Sequence, residues 1–426
     1  MQNKEFTKKA KSNFQISGIT APVVFIEALG TVKLAAIETN ASLGLLDKKK
    51  AVKMTKACKE FIEGKHNSDF TIDIFQAGAG TSYNMNANEI IADLANVHPN
   101  DHVNMGQSTN DVIPTATRLA VLFSLPSLLS ELAQTEKELG KIAKKHQKII
   151  KVGRTHLQDA VPISLGQEFD SYREALKKSR IFIELMAESL QELAIGGTAV
   201  GTGLNAHPRY HSLMLKNLGK ITGIKFHSAK NFTEIANNMN SFMNFSSALR
   251  SLATNLLNII GDLKLMNMGP KAGLAEITLP AVQPGSSIMP GKVNPSIPEA
   301  VEMVCLQVLG NDKTIELACQ KSHFELNVFC PIIMYNLLQS TSILSTGLKT
   351  LREKALYNLQ INTKRIDELL NNSHCCATAL APHIGYDQTA EIVKKAKKNG
   401  SSIKEEVLKS KVLTEKEFDK IIKKSS

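Results

Sequence analysis

The chain has 426 residues, 43% hydrophobic and 21% charged, which is too long for one compact core and has an ordinary soluble, globular composition. Aromatics make up only 5% and tryptophan is absent, which speaks against stacking platforms for carbohydrate or single-stranded nucleic acid. The net charge of +11 is dispersed, with small lysine clusters at 48–50 and 394–398, and reads as a solvated face rather than a nucleic-acid site.

Met1-Gln2-Asn3-Lys4 lacks the apolar core of a signal peptide, and no apolar run approaches a membrane span, so a cytoplasmic protein is expected. Cys58, Cys305, Cys319, Cys330, Cys375 and Cys376 show no C-x-x-C pairing and read as reduced thiols. Residues 21–64 read as helix starting near Pro22, with Leu29, Val32, Leu34 and Ile37 apolar. A Gly-rich turn, Gln76 to Ser82, then precedes Asn84, Asn86, Asn88 and Glu89. No Gly-Lys-Ser/Thr follows, so a phosphate loop is disfavoured. The hydroxyls and amides suit either hydrogen bonding to a carboxylate or plain helix capping.

Val97-His98-Pro99-Asn100-Asp101 leads into Gln107-Ser108-Thr109-Asn110-Asp111. A helix expected after Pro114 would place Ser108 and Thr109 just before its N-terminus. There the dipole and free N–H groups favour an anion, although these residue types are also ordinary N-caps. From about 115 to 365 apolar stripes recur at helical spacing, among them Leu125, Leu128, Leu132 and Leu139, and later Leu249, Leu252, Leu256 and Ile260. They predict an elongated bundle whose apolar faces could also serve assembly. Between the first two helices lies Gly153-Arg154-Thr155-His156-Leu157-Gln158-Asp159-Ala160, and Gly196 to Asn205 reads as a tight helix break. His207 and His211 have i,i+4 spacing but no third ligand nearby, so a helix start after Pro208 is preferred and no metal is expected.

The densest stretch is Gly285-Ser286-Ser287-Ile288-Met289-Pro290-Gly291-Lys292-Val293-Asn294-Pro295, preceded by Pro284. Its prolines and glycines exclude a regular helix or interior strand. Two hydroxyls, an ammonium and an amide on such a loop suit either a mobile anion clamp or an ordinary surface loop. Glu299 lies seven residues beyond Lys292, and Ser322 to Val328 is expected to open another apolar helix. Three domains are expected: 1–112 mainly helical, 113–365 a central long-helix bundle, and 366–426 a small helical domain.

The run from Gly285 to Pro295 resembles the signature loop of the aspartase/fumarase superfamily, whose members cleave C–N or C–O bonds and release fumarate. The blocks around Gly80-Thr81-Ser82, Gln107 to Asp111, Thr155-His156, Gly196 to Asn205 and Ser322 to Val328 resemble the family's in the same order. The resemblance implies a mainly α fold of three domains that assembles into a homotetrameric helical core, with each active site built from three subunits. It implies a small dicarboxylate substrate, no nucleic-acid or membrane partner, and no metal or organic cofactor.

Proton removal beside a carboxylate creates an enediolate-like dianion, which needs several positioned donors and an adequate base. By the resemblance, Ser286 is the general base, its alkoxide stabilised by Lys292 and loop N–H groups. Thr81, Ser108, Thr109 and Ser287 would hold the carboxylate that becomes the enediolate. Thr155, Lys292 and Asn294 would hold the other carboxylate. His156, paired to Glu299, and Asn110 would face the leaving group. His98, Asn100 and Asp101 resemble a second anion-binding turn.

Lys11 to Gly18 resembles a segment that relatives carry several dozen residues into their chains, so the usual N-terminal arm is expected to be missing. The connection from Glu89 to His98 is expected to be trimmed. The wording of Gly80-Thr81-Ser82 and of Ala272 to Ile277 leans toward aspartate ammonia-lyases. His323 to Phe329 and His98 to Asp101 lean toward fumarases. The leading expectation is deamination of L-aspartate to fumarate and ammonia, with fumarate hydration to L-malate as the alternative. An inactive paralogue kept as an interaction protein is the reading of another class.

Overall fold

A computed structural model describes residues 4–283, 285 and 288–424. Its helices begin with α1 Glu5–Asn13, α2 Val23–Ser42, α3 Lys48–Ile62, α4 Thr81–Ala95 and α5 Thr109–Lys145. A hairpin of β1 Ile150–Thr155 and β2 Gln158–Ser164 follows, then α6 Leu165–Glu188, β3 Glu192–Leu193, α7 Tyr210–Thr222 and β4 His227–Ser228. Next come α8 Phe232–Asn237, α9 Asn240–Met266, β5 Ile277–Thr278, α10 Ser296–Cys319, α11 Cys330–Leu351 and β6 Gln360–Ile361. The chain ends in α12 Thr363–Asn372, α13 Cys376–Ile384, α14 Tyr386–Asn399, α15 Ile403–Lys409 and α16 Glu415–Lys424. The fold is mainly helical, as the apolar stripes predict: Leu128, Leu132, Leu139, Leu249, Leu252, Leu256 and Ile260 are all buried.

Three local expectations are corrected. Residues 21–64 form two helices, because Gly44 takes a left-handed φ of 74°. Asp47 then caps α3 by accepting the N–H groups of Lys49 and Lys50 at 3.0 and 3.1 Å. Pro114 does not precede a helix but lies inside α5, which starts at Thr109. Ser322 to Val328 is not helical. It turns through a His323–Leu326 bridge, and α11 begins at Cys330. One helix is also more apolar than expected. Thr109–Lys145 is long and apolar enough to cross a membrane by length and composition, but 67% of its most apolar window is buried in the protein, as in a core helix.

The chain divides into two compact units, and the division falls within the five long helices α5, α6, α9, α10 and α11. The first comprises Met1–Ser130, Ser179–Ala253 and Cys305–Ser345. In it α2 packs on α3 and α7. The rings of Phe25, Phe61, Phe70 and Tyr83 form a cluster with centroids 5.4–6.1 Å apart. Two carboxylates fasten the early chain. Glu89 accepts the N–H groups of Phe6 and Thr7 at the start of α1, and Asp73 accepts those of Ile16, Ser17, Gly18 and Phe75. Glu89 is therefore a cap for α1 rather than part of the Gly-turn polar cluster.

The second unit comprises Glu131–Lys178, Thr254–Val304 and Thr346–Ser426. Its C-terminal helices close around Leu380, Ile392, Val407 and Phe418, and this small core reaches Val152 on β1. That contact seats the β1–β2 hairpin.

Candidate active site

In the first unit, the turn Gly78–Gly80 delivers Thr81 to the N-terminus of α4. Ala79 and Gly80 take φ values of 60° and 83°, and Ala79 N–H donates to the carbonyl of Val328 at 2.8 Å. A Cβ on Gly78 would press on Val328 at 2.9 Å, so glycine is required for this close approach. Thr81 is exposed at the first position of the helix, where the dipole favours negative charge.

The segment Ser108 to Asp111 forms a reciprocal helix cap. Ser108 Oγ accepts the N–H of Asn110 at 3.2 Å, and Asp111 Oδ1 accepts the N–H of Ser108 at 3.0 Å. Ordinary capping is thus realised here, and it holds Ser108 and Thr109 at a helix N-terminus. Asn110 donates from its side chain to the carbonyl of Ala199 at 2.8 Å, tying the segment to the Gly196–Asn205 turn. Asp111 Oδ2 accepts the N–H groups of Gly196 and Thr198, both at 2.9 Å. Burial pushes the Asp111 carboxyl up to about 6, against the pull of those N–H donors and of Lys33.

Lys33 is the residue that sequence reading missed. It is fully buried, and its ammonium donates to Asn84 Oδ1 at 2.7 Å, Gln107 Oε1 at 2.9 Å and Asn104 Oδ1 at 3.2 Å. Asn84 passes the connection on, donating to Thr109 Oγ1 at 3.2 Å. The N-termini of α4 and α5 are thereby joined through one ammonium and one amide. Burial lowers the Lys33 pKa to about 7, against the opposing charge of Asp111. The available signal was a lone lysine inside the apolar run Val23–Ser42.

In the second unit, Thr155 and His156 sit at the tip of the β1–β2 hairpin. Thr155 pairs with Gln158 across a two-residue turn, in which His156 and Leu157 both have positive φ, 56° and 59°. This is a type I′ turn built without glycine, a strained arrangement that holds both side chains outward. The hairpin base is anchored by ions: Arg154 Nη1 and Lys151 Nζ each lie 2.8 Å from an oxygen of the fully buried Glu276, and Lys151 also reaches Glu168. Gly153-Arg154-Thr155, which reads from sequence as a turn before His156, is instead the end of β1.

The Gly285–Pro295 stretch also belongs to this unit. Ser286 and Ser287, the expected base and its neighbour, lie outside the described residues. Asn294 donates to the carbonyl of Gly285 at 2.9 Å across the neck of the loop, and Gly291 takes a φ of 79°. Ile288, Met289, Lys292 and Val293 are exposed. Glu299 is exposed in the first turn of α10, and no hydrogen bond joins it to His156 within the described chain.

The second anion turn is a short π-helical segment, Pro99–Val103. His98 Nδ1 accepts the N–H of Asp101 at 3.1 Å and lies 3.1 Å from its carboxylate, while Asn100 is exposed. His207 and His211 do not converge on a metal. His211 Nδ1 meets the carbonyl of Ile195 at 2.7 Å and its Nε2 the hydroxyl of Ser228 at 2.9 Å. Two helix N-termini and a hairpin thus carry hydroxyls, amides and an imidazole, a donor-rich set suited to carboxylates.

A family described as "Lyase" matches residues 2–310, and one described as "Fumarase C C-terminus" matches residues 377–426. A "Fumarate hydratase class II" from Methylorubrum extorquens is 43% identical over 98% of this chain and 91% of its own length. An "Aspartate ammonia-lyase" from a Bacillus species is 44% identical over 98% of this chain and 92% of its own. Further relatives at 40–43% identity carry the class II fumarate hydratase name. The crystal structure of a Brucella melitensis protein titled "fumarate lyase:delta crystallin" superposes with a TM-score of 0.95 at 40% identity, covering 98% of this chain and 94% of that one.

Proposed function

The chain belongs to the aspartase/fumarase superfamily of lyases, which act on dicarboxylates, and we propose that its reaction is the reversible hydration of fumarate to L-malate. The observation that carries water over ammonia is that class II fumarate hydratases predominate among relatives spanning 98% of the chain. This reverses the order of the two substrates expected from sequence wording.

In this reading the β-carboxylate of malate lies against Thr81, Ser108 and Thr109, with Ser287 completing the set. Helix N-termini favour the charge that grows there as the Cβ proton leaves. Ser286 takes that proton as an alkoxide, stabilised by the Lys292 ammonium and loop N–H groups. Thr155, Lys292 and Asn294 hold the second carboxylate. Asn110 and His156, the latter paired to Glu299, serve the leaving hydroxyl. Lys33 keeps Thr109 oriented through Asn84. His98, Asn100 and Asp101 form the second anion turn.

The assembly is a homotetramer in which each site draws on three copies. Outward apolar side chains on α10, with Met303 65% and Leu306 58% exposed, support such a helical core. Placing His156 and Glu299 on different copies also accounts for the lack of a bond between them within one chain.

Deamination of L-aspartate is the second reading, favoured by the Bacillus relative at 44% identity and by Gly80-Thr81-Ser82 and Ala272 to Ile277. The chemistry is shared up to the leaving group. Purified protein offered L-malate and L-aspartate separately, with fumarate followed by its ultraviolet absorbance, decides between them. Turnover of malate alone supports the proposal; turnover of aspartate alone replaces it with the second reading.

A further inference from the structure

The β1–β2 hairpin, wholly inside the second unit, is broken just below the tip that carries Thr155 and His156. Its register runs from Ile150↔Ser164 to Val152↔Pro162, then shifts and resumes at Arg154↔Asp159 and Thr155↔Gln158. Two residues of β2, Ala160 and Val161, thus face Gly153 alone, and a Cβ on Gly153 would lie 2.5 Å from the carbonyl oxygen of Val161. Such a bulge bends a hairpin and interrupts its ladder. Beyond it only two residue pairs remain, and residues 155–159 are all exposed in one chain. Ladder pairing and local burial therefore do little to fix where the tip points.

What spans the bulge is one carboxylate. Glu276 Oε2 takes Lys151 below the break, and Oε1 takes Arg154 above it. Arg154 Nη1 also donates back to the carbonyl of Val152 at 3.4 Å, over the same gap. Glu276 is itself a fixed post. Its N–H donates to the carbonyl of Met266 and its own carbonyl accepts the N–H of Asn362, both at 2.9 Å, while the next two residues pair with β6. Its side chain is fully buried and that of Arg154 is 18% exposed, so this charge-assisted contact is largely shielded from solvent.

We propose that Arg154 and Glu276 are positioning residues for the reaction: together they set the direction of the hairpin tip, and with it the reach of Thr155 and His156 to substrate. The inference rests on the reading of those two residues as substrate-facing. A tip that serves the site of another copy is aimed from its own base, so a small error there is enlarged at the imidazole. Misplacing a reacting group by about 1 Å can cost about 10² in rate.

The test is Arg154→Met in the full-length protein, since this variant leaves Glu276 its second cation, Lys151. A kcat about 10-fold to 100-fold lower is expected, with a raised KM and a Tm within a few degrees of the parent. Arg154→Lys, which keeps a cation facing Glu276, should recover most of the loss. In a His156→Ala chain, Arg154→Met should cost less than about 3-fold in kcat, because the group it positions is already gone, while the rise in KM through Thr155 persists. Glu276→Asp keeps the charge but is one methylene shorter; it should show the same split, and serves if Arg154→Met does not fold. Equal loss of kcat in both backgrounds, or full turnover in a folded Arg154→Met, would overturn the inference. Near-parental turnover of His156→Ala would instead fault the substrate-facing reading. The pair is then judged from crystals of Arg154→Met, in which residues 155–159 should be displaced relative to β5, and an unchanged tip overturns it whatever the turnover.

Discussion

The side-chain amide of Asn294 donates to the carbonyl of Gly285 at 2.9 Å, closing the neck of the loop that carries Lys292. At the same place a Cβ on Gly285 would overlap the carbonyl oxygen of Lys292. The two limbs can meet only because one residue has no side chain. Gly285→Ala should therefore force the neck apart and misplace the loop, with little effect on helices elsewhere. We expect kcat/KM to fall by about 10² or more while Tm stays within a few degrees, read from steady-state kinetics and a thermal melt.

Lys33 makes no expected contact with substrate, yet it aligns Asn84 and, through it, Thr109. Lys33→Met leaves Asn84 Oδ1 and Gln107 Oε1 without the ammonium donor, while Asn104 Oδ1 keeps the side-chain amide of Asn84. A loss of about 10-fold to 100-fold in kcat/KM is expected, together with lower stability. Asn84→Ala should give a similar kinetic loss if the path runs through that amide. A normal kcat/KM in Asn84→Ala would place the role of Lys33 elsewhere.

Asp111 makes stability depend on pH in an unusual direction. Its folded pKa, about 6, lies above the ordinary carboxylate value near 4, so the folded state favours the protonated form. Between pH 4 and pH 6 the unfolded chain has released this proton while the folded chain still holds it. Stability therefore falls as pH rises across that window. Asp111→Asn should flatten this part of the profile, whatever it does to absolute stability. Denaturant melts at closely spaced pH values measure the slope.

The fold was legible wherever apolar spacing was continuous, as in α9, where Leu249, Leu252, Leu256 and Ile260 lie on one buried face. It was less legible where short signals compete. The break at Gly44 and Asp47 was hidden in a run that reads as helix throughout, and Pro114 reads as a helix start although it is tolerated inside α5. Of the candidate site, the blocks at 78–82, 107–111 and 153–159 were singled out by their resemblance to the superfamily's blocks in the same order, since their residue types alone also suit turns and helix caps. The tertiary links could not be read. Nothing in spacing relates Lys33 to Gln107, or Arg118 to Ser241, because those pairings depend on which helices pack.

Assembly is tested on α10. Leu306→Lys puts a charge in the middle of an exposed apolar stripe and should lower the mass in solution from four copies to fewer. If sites are shared among copies, turnover should fall in parallel. A protein that dissociates but keeps full activity would contradict shared sites.

The most direct measurement concerns Ser286, the proposed base. Ser286→Ala should retain the mass, helix content and Tm of the parent chain, while turnover of the productive substrate drops by about 10³ or more. Near-parental turnover from a correctly assembled Ser286→Ala protein would contradict the account at its centre.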